Sequence, residues 1–128
     1  MSSIDRCLAE AMSITGALGV TLVDWTGGLV LSAAGTGPDG DPAADAADAA
    51  ELARVVMLRQ AFADPGAGGS SAEDVIVTSA SVYHLLRFVD TSFDGNLLIH
   101  LRLDRNTANL AMARIRLTAI IDRMVSTS

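Results

Sequence analysis

The segment from Gly16 to Gly35 constrains the fold most, because it contains two almost entirely apolar stretches separated by one short polar turn. In that turn, the carboxylate of Asp24 can accept hydrogen bonds from the amides that follow it, and Gly27 and Gly28 allow positive φ angles. The segment is therefore predicted to form a β-hairpin. Since its strands carry so little charge, we expect both to be buried on both faces, in the middle of a sheet.

Length and charge narrow the class of protein. The 128 residues are enough for one domain, residues 1–128, that buries about two-thirds of its unfolded surface. All nine basic residues are arginine, and the missing lysine excludes a phosphate-binding P-loop and Schiff-base chemistry. A net charge of −6 argues against nucleic acid and anionic lipid as partners.

Cysteine usage and hydropathy indicate the compartment. Cys7 is the single cysteine, so a disulfide framework and a multi-cysteine metal site are both excluded. No apolar run is long enough to span a membrane, and the acidic residues Asp5 and Glu10 lie where a signal peptide would be basic and then apolar. We therefore expect a cytoplasmic protein with no direct membrane insertion.

Residue patterns predict an α+β fold with the order α-β-β-α-β-β-β-α. Ser2 and Asp5 approximate a capping box, Asp41-Pro42 begins a second helix that we expect to end near Phe62, and Asp104 or Asn106 caps the last helix. Two antiparallel groups of strands separated by one helix can form a five-stranded antiparallel sheet with helices on both faces. The other predicted elements are strands Val75–Ser79, Val82–Val89 and Asn96–Leu103, and a final helix that ends near Val125.

The histidines give no clear catalytic or metal site. Pairing Val89 with Asn96 across the connection 90–95 places His84 and His100 on opposite faces of the sheet, and they would meet only if the register slipped by one residue. Neither has a further ligand at metal-binding spacing. Asp24 is interpreted as a turn cap rather than a catalytic acid. We therefore predict no catalytic residues, no metal and no cofactor.

With this order of elements, the chain resembles bacterial members of the roadblock, or dynein-light-chain-like, family, which share a profilin-like layout. The residues that carry the resemblance are the hairpin from Gly16 to Leu29 and the start of the last helix, Ala108-Asn109-Leu110-Ala111-Met112-Ala113-Arg114. The resemblance implies a homodimer, or a heterodimer with a roadblock-like paralogue. In that arrangement the central helices pack antiparallel, and the sheets join through the strand after that helix.

Carried over to this chain, the resemblance implies a dimer interface built from the central helix and the strand that follows it. Independently of the family, Val75 to Val77 form a short, apolar, uncharged edge, which is an aggregation risk unless a partner covers it. Arg54 and Arg59, with the loop from Pro65 to Ser71, are candidate contacts for another partner. The implied interface residues are Ala47, Ala50, Leu52, Val55, Val56, Val75, Ile76, Val77 and Thr78.

Three functional hypotheses follow. The resemblance implies a non-enzymatic dimeric adaptor that binds or regulates a small Ras-like GTPase or a signalling complex. The alternative is a small-molecule sensor of the PAS or GAF kind, which would need a cavity between sheet and helices. A third hypothesis, a small hydrolase, requires His84 or His100 within hydrogen-bond reach of a carboxylate and a hydroxyl.

Overall fold

The helices and strands follow one another in the predicted order. The computed structural model describes residues 2–37, 40–67, 72–90 and 96–126. Two short 3₁₀ turns, Gln60–Phe62 and Pro65–Ala67, follow the second helix. The main elements are α1 (Ser3–Met12), β1 (Ala17–Asp24), β2 (Leu29–Gly35), α2 (Pro42–Leu58), β3 (Asp74–Thr78), β4 (Val82–Val89), β5 (Leu97–Asp104) and α3 (Leu110–Ser126).

The five strands form a single antiparallel sheet in the order β2-β1-β5-β4-β3. Helices α1 and α3 pack side by side on one face of this sheet, and α2 packs on the other. The predicted α+β class, with a five-stranded antiparallel sheet and helices on both faces, is therefore confirmed.

The larger core lies between the sheet and helices α1 and α3. It is built from aliphatic side chains, and six of its leucines are almost completely buried: Leu8, Leu22, Leu85, Leu101, Leu103 and Leu117. Burying one such side chain contributes about 1.5–3 kcal/mol. This face is filled by protein and supplies most of the apolar burial that holds the fold together.

The turn between β1 and β2 has the predicted chemistry. Asp24 accepts hydrogen bonds from the amide of Thr26 at 3.0 Å and from its hydroxyl at 2.7 Å. These bonds, the hydroxyl first, lower the pKa of the Asp24 carboxyl. Of the two glycines, Gly28 has a positive φ, +70°, which a side-chain-bearing residue rarely adopts, whereas Gly27 does not.

The prediction that both hairpin strands lie in the middle of the sheet is wrong for β2. Strand β1 is central, between β2 and β5, but β2 is an edge strand, and its residues alternate between exposed and half-buried. Its second half consists of the small residues Ser32, Ala33, Ala34 and Gly35. This second half exposes little apolar area, whereas Leu29 and Leu31 in the first half are exposed. Low charge alone therefore does not imply a central strand.

Two helix ends differ from the prediction. Helix α2 ends at Leu58 instead of near Phe62, because Arg59 has an extended conformation (φ −96°, ψ 138°). The cap of α3 is Asn109, whose side chain accepts from the amide of Met112 at 3.0 Å. Asp104 instead ends β5 and accepts from the amide of Asn106 in the following turn.

The other predicted caps are confirmed. The Ser2 side chain accepts from the amide of Asp5, and Asp41 accepts from the amides of Ala43 and Ala44 at the start of α2. Parts of the predicted loops, residues 38–39, 68–71 and 91–95, lie outside the described residues. Across the described ranges, no helix is both long and apolar enough to cross a membrane.

Candidate interface formed by helix α2 and strand β3

Helix α2 covers only part of its face of the sheet. Its alanines pack over β1 and β2, where Ala46, Ala50 and Ala53 are buried against Val23 and Leu98. Between α2 and the β3 side of the sheet lies a groove with a volume of about 260 Å³. Its lining residues are Asp45, Asp48, Ala49, Leu52, Val77, His84, Leu86 and His100.

Strand β3 forms the edge of the sheet beside this groove. It pairs with β4 on one side in a regular register from Asp74–Arg87 to Thr78–Tyr83, and its other side is an edge. Val77 is 41% exposed and lines the groove. Arg87 and Arg114 both bind one carboxylate oxygen of Asp74, at 3.3 and 2.8 Å, and so fix the start of the strand.

The opposite edge of the sheet is irregular. Leu22 pairs with Ser32 and Val23 pairs with Val30, so Leu31 is an extra residue and forms a β-bulge in β2. A bulge disrupts the row of backbone groups that another strand would need for pairing. Of the two edges, β3 is therefore the better template for adding a strand.

The predicted interface residues on α2 divide into two groups. Ala50 has no exposed surface and Val56 is 8% exposed, so both are already buried within the single protomer. Ala47 is exposed on the side of the helix that faces the β1–β2 turn, near Gly28. Leu52 lines the groove, and Val55 is exposed close to it. Leu52 and Val55 are therefore the members of the predicted set that α2 presents on the groove side.

The predicted strand residues are distributed over both faces of β3. Val75 packs partly against the α2 core, and Val77 lies on the same face of the sheet. Ile76 and Thr78 alternate with them and are exposed on the opposite face. The predicted group thus forms one continuous edge strand.

The two arginines proposed as partner contacts have different environments. Arg54 is partly buried, and its guanidinium Nη1 donates a 2.9 Å hydrogen bond to the carbonyl oxygen of Trp25. It therefore joins α2 to the β1–β2 turn. Arg59 is exposed at the C-terminal end of α2.

Sequence reasoning missed two exposed apolar side chains at this end of α2. Leu58 is 70% exposed, and Phe62, in the 3₁₀ turn that follows, is 53% exposed. The available signal was that alanines already provide the buried face of the helix, so large apolar residues near its end had no place in the core. With Val55, they extend the exposed apolar surface beyond the groove.

The predicted separation of the two histidines is wrong. Val89 pairs with Leu97 rather than Asn96, so His84 lies opposite Arg102 and His100 lies opposite Leu86 on the same face of the sheet. The Nδ1 atom of His84 lies 3.0 Å from Nε2 of His100. A shift of one residue in register transfers every side chain of a strand to the other face, and Asn96 lies outside the ladder.

The histidine pair is held in a neutral form. Burial, then the proximity of His84 and of Arg102, lowers the pKa of His100 to about 4. Burial and Arg102 also lower the pKa of His84, while Asp45 acts in the opposite direction. Each ring nitrogen in this contact is used by the other ring, which is not the carboxylate and hydroxyl arrangement that a hydrolase requires.

The two other side chains considered as candidates, Cys7 and Trp25, are both buried in the protein. Cys7 lies on the buried side of α1, and this burial raises the pKa of its thiol to about 11, so the reactive thiolate is disfavoured at neutral pH. Trp25 is also buried and makes an edge-to-face contact with Phe88. Among the described residues, no group of three or more His, Cys, Asp or Glu side chains is placed to hold a metal ion.

This arrangement of sheet and helices is the roadblock/LC7 fold. No family model and no curated protein matches the chain. Among solved structures, it is similar to MglB of Myxococcus xanthus, with 20% identity over 98% of this chain and 84% of that chain and a TM-score of 0.71. A roadblock/LC7 domain from Streptomyces avermitilis has 19% identity over 93% and 92% of the two chains, with a TM-score of 0.70.

A third similar structure is the gliding protein MglB of Thermus thermophilus. It has 20% identity, covers 98% of this chain and 90% of its own, and has a TM-score of 0.73. The three likenesses extend over nearly all of this chain, so they identify the whole described fold rather than one motif.

Proposed function

We propose that this protein is a non-enzymatic dimeric adaptor that binds a small Ras-like GTPase or a signalling complex in the cytoplasm. The observation that carries this proposal is the regular, unpaired edge of β3 beside the open groove of α2. Its partners are a second copy of the chain or a roadblock-like paralogue, and the GTPase. Nucleic acid is not among them, because the net charge is −6.

The chemistry of the β3 edge supports dimerisation. Its three central residues, Val75, Ile76 and Val77, carry no charge, and no bulge interrupts their pairing register. Such an edge favours pairing with another strand unless something covers it. Joining two copies of β3 would satisfy the open backbone groups and cover Val77 at the same time.

The likeness to roadblock/LC7 structures supports a role in regulation rather than catalysis. One of the similar structures is described as a gliding protein. The proposed GTPase partner comes from the resemblance of this chain to the roadblock family, which implies binding to a small Ras-like GTPase. The environments of Cys7, Asp24 and the histidine pair support the same reading, because each group has a packing or capping role.

The sensor alternative is not favoured. A ligand-binding domain needs a largely enclosed cavity with converging polar groups. Leu97, Ile99, Leu101 and Leu103 face a core that is filled by α1 and α3, and the groove on the other face is open along α2. The groove therefore suits a protein surface better than an enclosed small molecule.

Two measurements test the proposal. Sedimentation velocity at micromolar concentration should give the mass of a dimer. Fluorescence anisotropy should then detect binding of a Ras-like GTPase, encoded near this protein, loaded with a fluorescent GTP analogue or with fluorescent GDP. Binding that depends on the nucleotide supports a regulator. A monomer that binds neither form of the GTPase would contradict the proposal.

A further inference from the structure

Helix α3 presents large apolar side chains on the side that faces away from the sheet. Its inner side packs into the larger core through residues such as Ala113, Leu117 and Ile120. On its outer side, Met112 is 52% exposed and Ile115 is 64% exposed. The outer side of a helix that covers a sheet is normally polar, so the packing of the protomer itself does not explain these two residues.

The exposed residues form a short stripe along α3. Met112, Ile115 and Ala119 are three and four positions apart, which is the spacing of a coiled-coil seam, and they extend over about 10 Å of the helix axis. Ala111 and Ala119 lie one turn before and one turn after Ile115, and both are exposed. Their small side chains leave room beside Ile115 for larger side chains of another helix. The stripe therefore has the shape of a helix-packing surface.

The stripe runs between two positively charged flanks. On one side, Nε of Arg114 donates to Asp74 at 2.8 Å, and Arg87 pairs with the same carboxylate, so Asp74 balances only one of the two arginines. On the other side, Arg116 donates to the carbonyl oxygen and the hydroxyl of Ser13, which are uncharged. No carboxylate of the described residues forms an ion pair with Arg116. Both flanks thus keep positive charge that the protomer does not balance.

This basic surface is an exception in an acidic chain. Helix α3 contains three arginines and one aspartate, a net charge of +2, whereas the whole chain has a net charge of −6. Helix α2, on the other face of the sheet, contains three acidic residues and one arginine, a net charge of −2. Because complementary charge steers association and excludes wrong partners, the outer side of α3 favours an anionic partner.

We propose that the outer side of α3 binds an acidic amphipathic helix of another protein. Apolar side chains of that helix would lie over Met112 and Ile115, and its carboxylates would pair with Arg114 and Arg116. A helix fits this surface better than a lipid bilayer does, because the stripe is narrow and short, whereas a helix that lies on a membrane has a broad apolar face. This site uses neither the β3 edge nor the groove of α2, on which the proposed function depends.

A pair of designed peptides tests the site. The acidic peptide is a helix of about three heptads, with leucine along one stripe and glutamate on both flanks of it. The matched peptide has lysine in place of each glutamate. Each peptide carries a fluorescent label, and anisotropy measures its binding to the full chain. We expect the acidic peptide to bind, more weakly as the salt concentration rises, and the lysine peptide not to bind.

Variants on α3 locate the contact. Ile115→Ser removes the apolar contact, and Arg116→Glu reverses the charge of one flank, so each should raise the dissociation constant of the acidic peptide on the order of tenfold. Arg116→Gln keeps a donor for Ser13 without the charge and should have a smaller effect in the same direction. Circular dichroism verifies that each variant is folded.

Matched controls lie on the α2 side of the sheet. Leu58 and Arg59 are both exposed there. Leu58→Ser and Arg59→Glu make the same kinds of change as the α3 variants, far from the stripe. Each should change the dissociation constant by less than about twofold, because charges separated by more than a Debye length are screened.

Four results would overturn the proposed site. The acidic peptide fails to bind at about 1 mM, or the α2 controls weaken it as much as the α3 variants do. Vesicles that contain phosphatidylserine bind the protein and displace the peptide, which would make the occupant a lipid surface. The wild type forms assemblies larger than a dimer that Ile115→Ser abolishes, which would make the occupant a second copy of the chain. Each of these results leaves the β3 edge and its dimer as they stand.

Discussion

At the scale of single residues, the register of β4 and β5 brings His84 and His100 into contact in the lining of the groove, and the protonation of this pair affects stability. The 3.0 Å contact between Nδ1 of His84 and Nε2 of His100 requires one nitrogen to donate and the other to accept. Once both rings are protonated, two donors face each other close to Arg102. Asp45 is the carboxylate whose charge acts on His84, but it does not prevent the low pKa of His100.

We predict that this pair makes the protein less stable in mild acid. The folded pKa of His100, about 4, is below its ordinary value of 6.5, so the unfolded chain takes up the proton first. Stability is therefore lost as the pH falls from about 6.5 towards 4, by about 3 kcal/mol at most. Urea unfolding across this range, compared with His100→Gln, measures the contribution. Equal pH dependence in the two proteins would contradict it.

Arg54 gives a second prediction at this scale. Its hydrogen bond to the Trp25 carbonyl is partly buried, so Arg54→Ala should lower the free energy of unfolding by about 1–2 kcal/mol. Arg6→Ala, at an exposed position on α1, is the matched control and should change it by less than about 0.5 kcal/mol. Urea denaturation distinguishes them. No difference between the two variants would mean that the Arg54 hydrogen bond is not stabilising.

At the scale of elements, α2 uses two faces for two purposes. The alanines at 46, 49, 50 and 53 let the helix lie close to its own sheet, whereas Leu52 lines the groove and Val55 is exposed. Helical spacing predicts a helix with small residues on one side. It does not say whether those residues approach the protomer's own sheet or another chain, because the two packings bury the same side chains.

The ends of the elements were predicted least well. Asp41-Pro42 identifies the start of α2, because an aspartate N-cap followed by proline at the first helical position is typical of the beginning of a helix. The end of α2 has no such signal. Arg59 becomes extended before a 3₁₀ turn, without a glycine to mark the boundary. In the hairpin of β4 and β5, the predicted pairing differed from the observed register by one residue. That difference was enough to place on opposite faces two histidines that are in contact.

The two edge strands give a prediction at the scale of elements. Val77→Lys adds a charge to the regular β3 edge and should weaken dimerisation, because a lysine on an edge opposes strand pairing. Leu31→Lys makes a similar change in the bulge of β2, where Leu31 is 49% exposed, and should leave the dimer intact. Sedimentation equilibrium of the folded variants tests both. If Leu31→Lys alone disrupts the dimer, the protomers join through β2.

For the whole molecule, the order of elements and the sheet class could be predicted from patterns of charge and apolar residues. The position of the interface could be predicted only in outline. Val75 to Val77 stand out in the sequence as an uncharged strand, but the groove exists only because α2 lies over β1 and β2 and leaves most of β3 uncovered. That placement depends on sheet order, which no local pattern contains.

If the protomers join through both β3 and α2, folding and association are coupled. The dimer would cover Leu52, Val55 and Val77, whose apolar surface is solvent-accessible in a single protomer. A hundredfold rise in protein concentration should then add about 2.7 kcal/mol of stability per mole of dimer, by mass action. The urea midpoint should rise accordingly. Val77→Lys, which opposes pairing at the β3 edge, should show a weaker dependence on concentration. A midpoint independent of concentration, in a protein that sediments as a dimer, would mean that the protomers fold fully before they meet, so that the interface adds nothing to the fold itself.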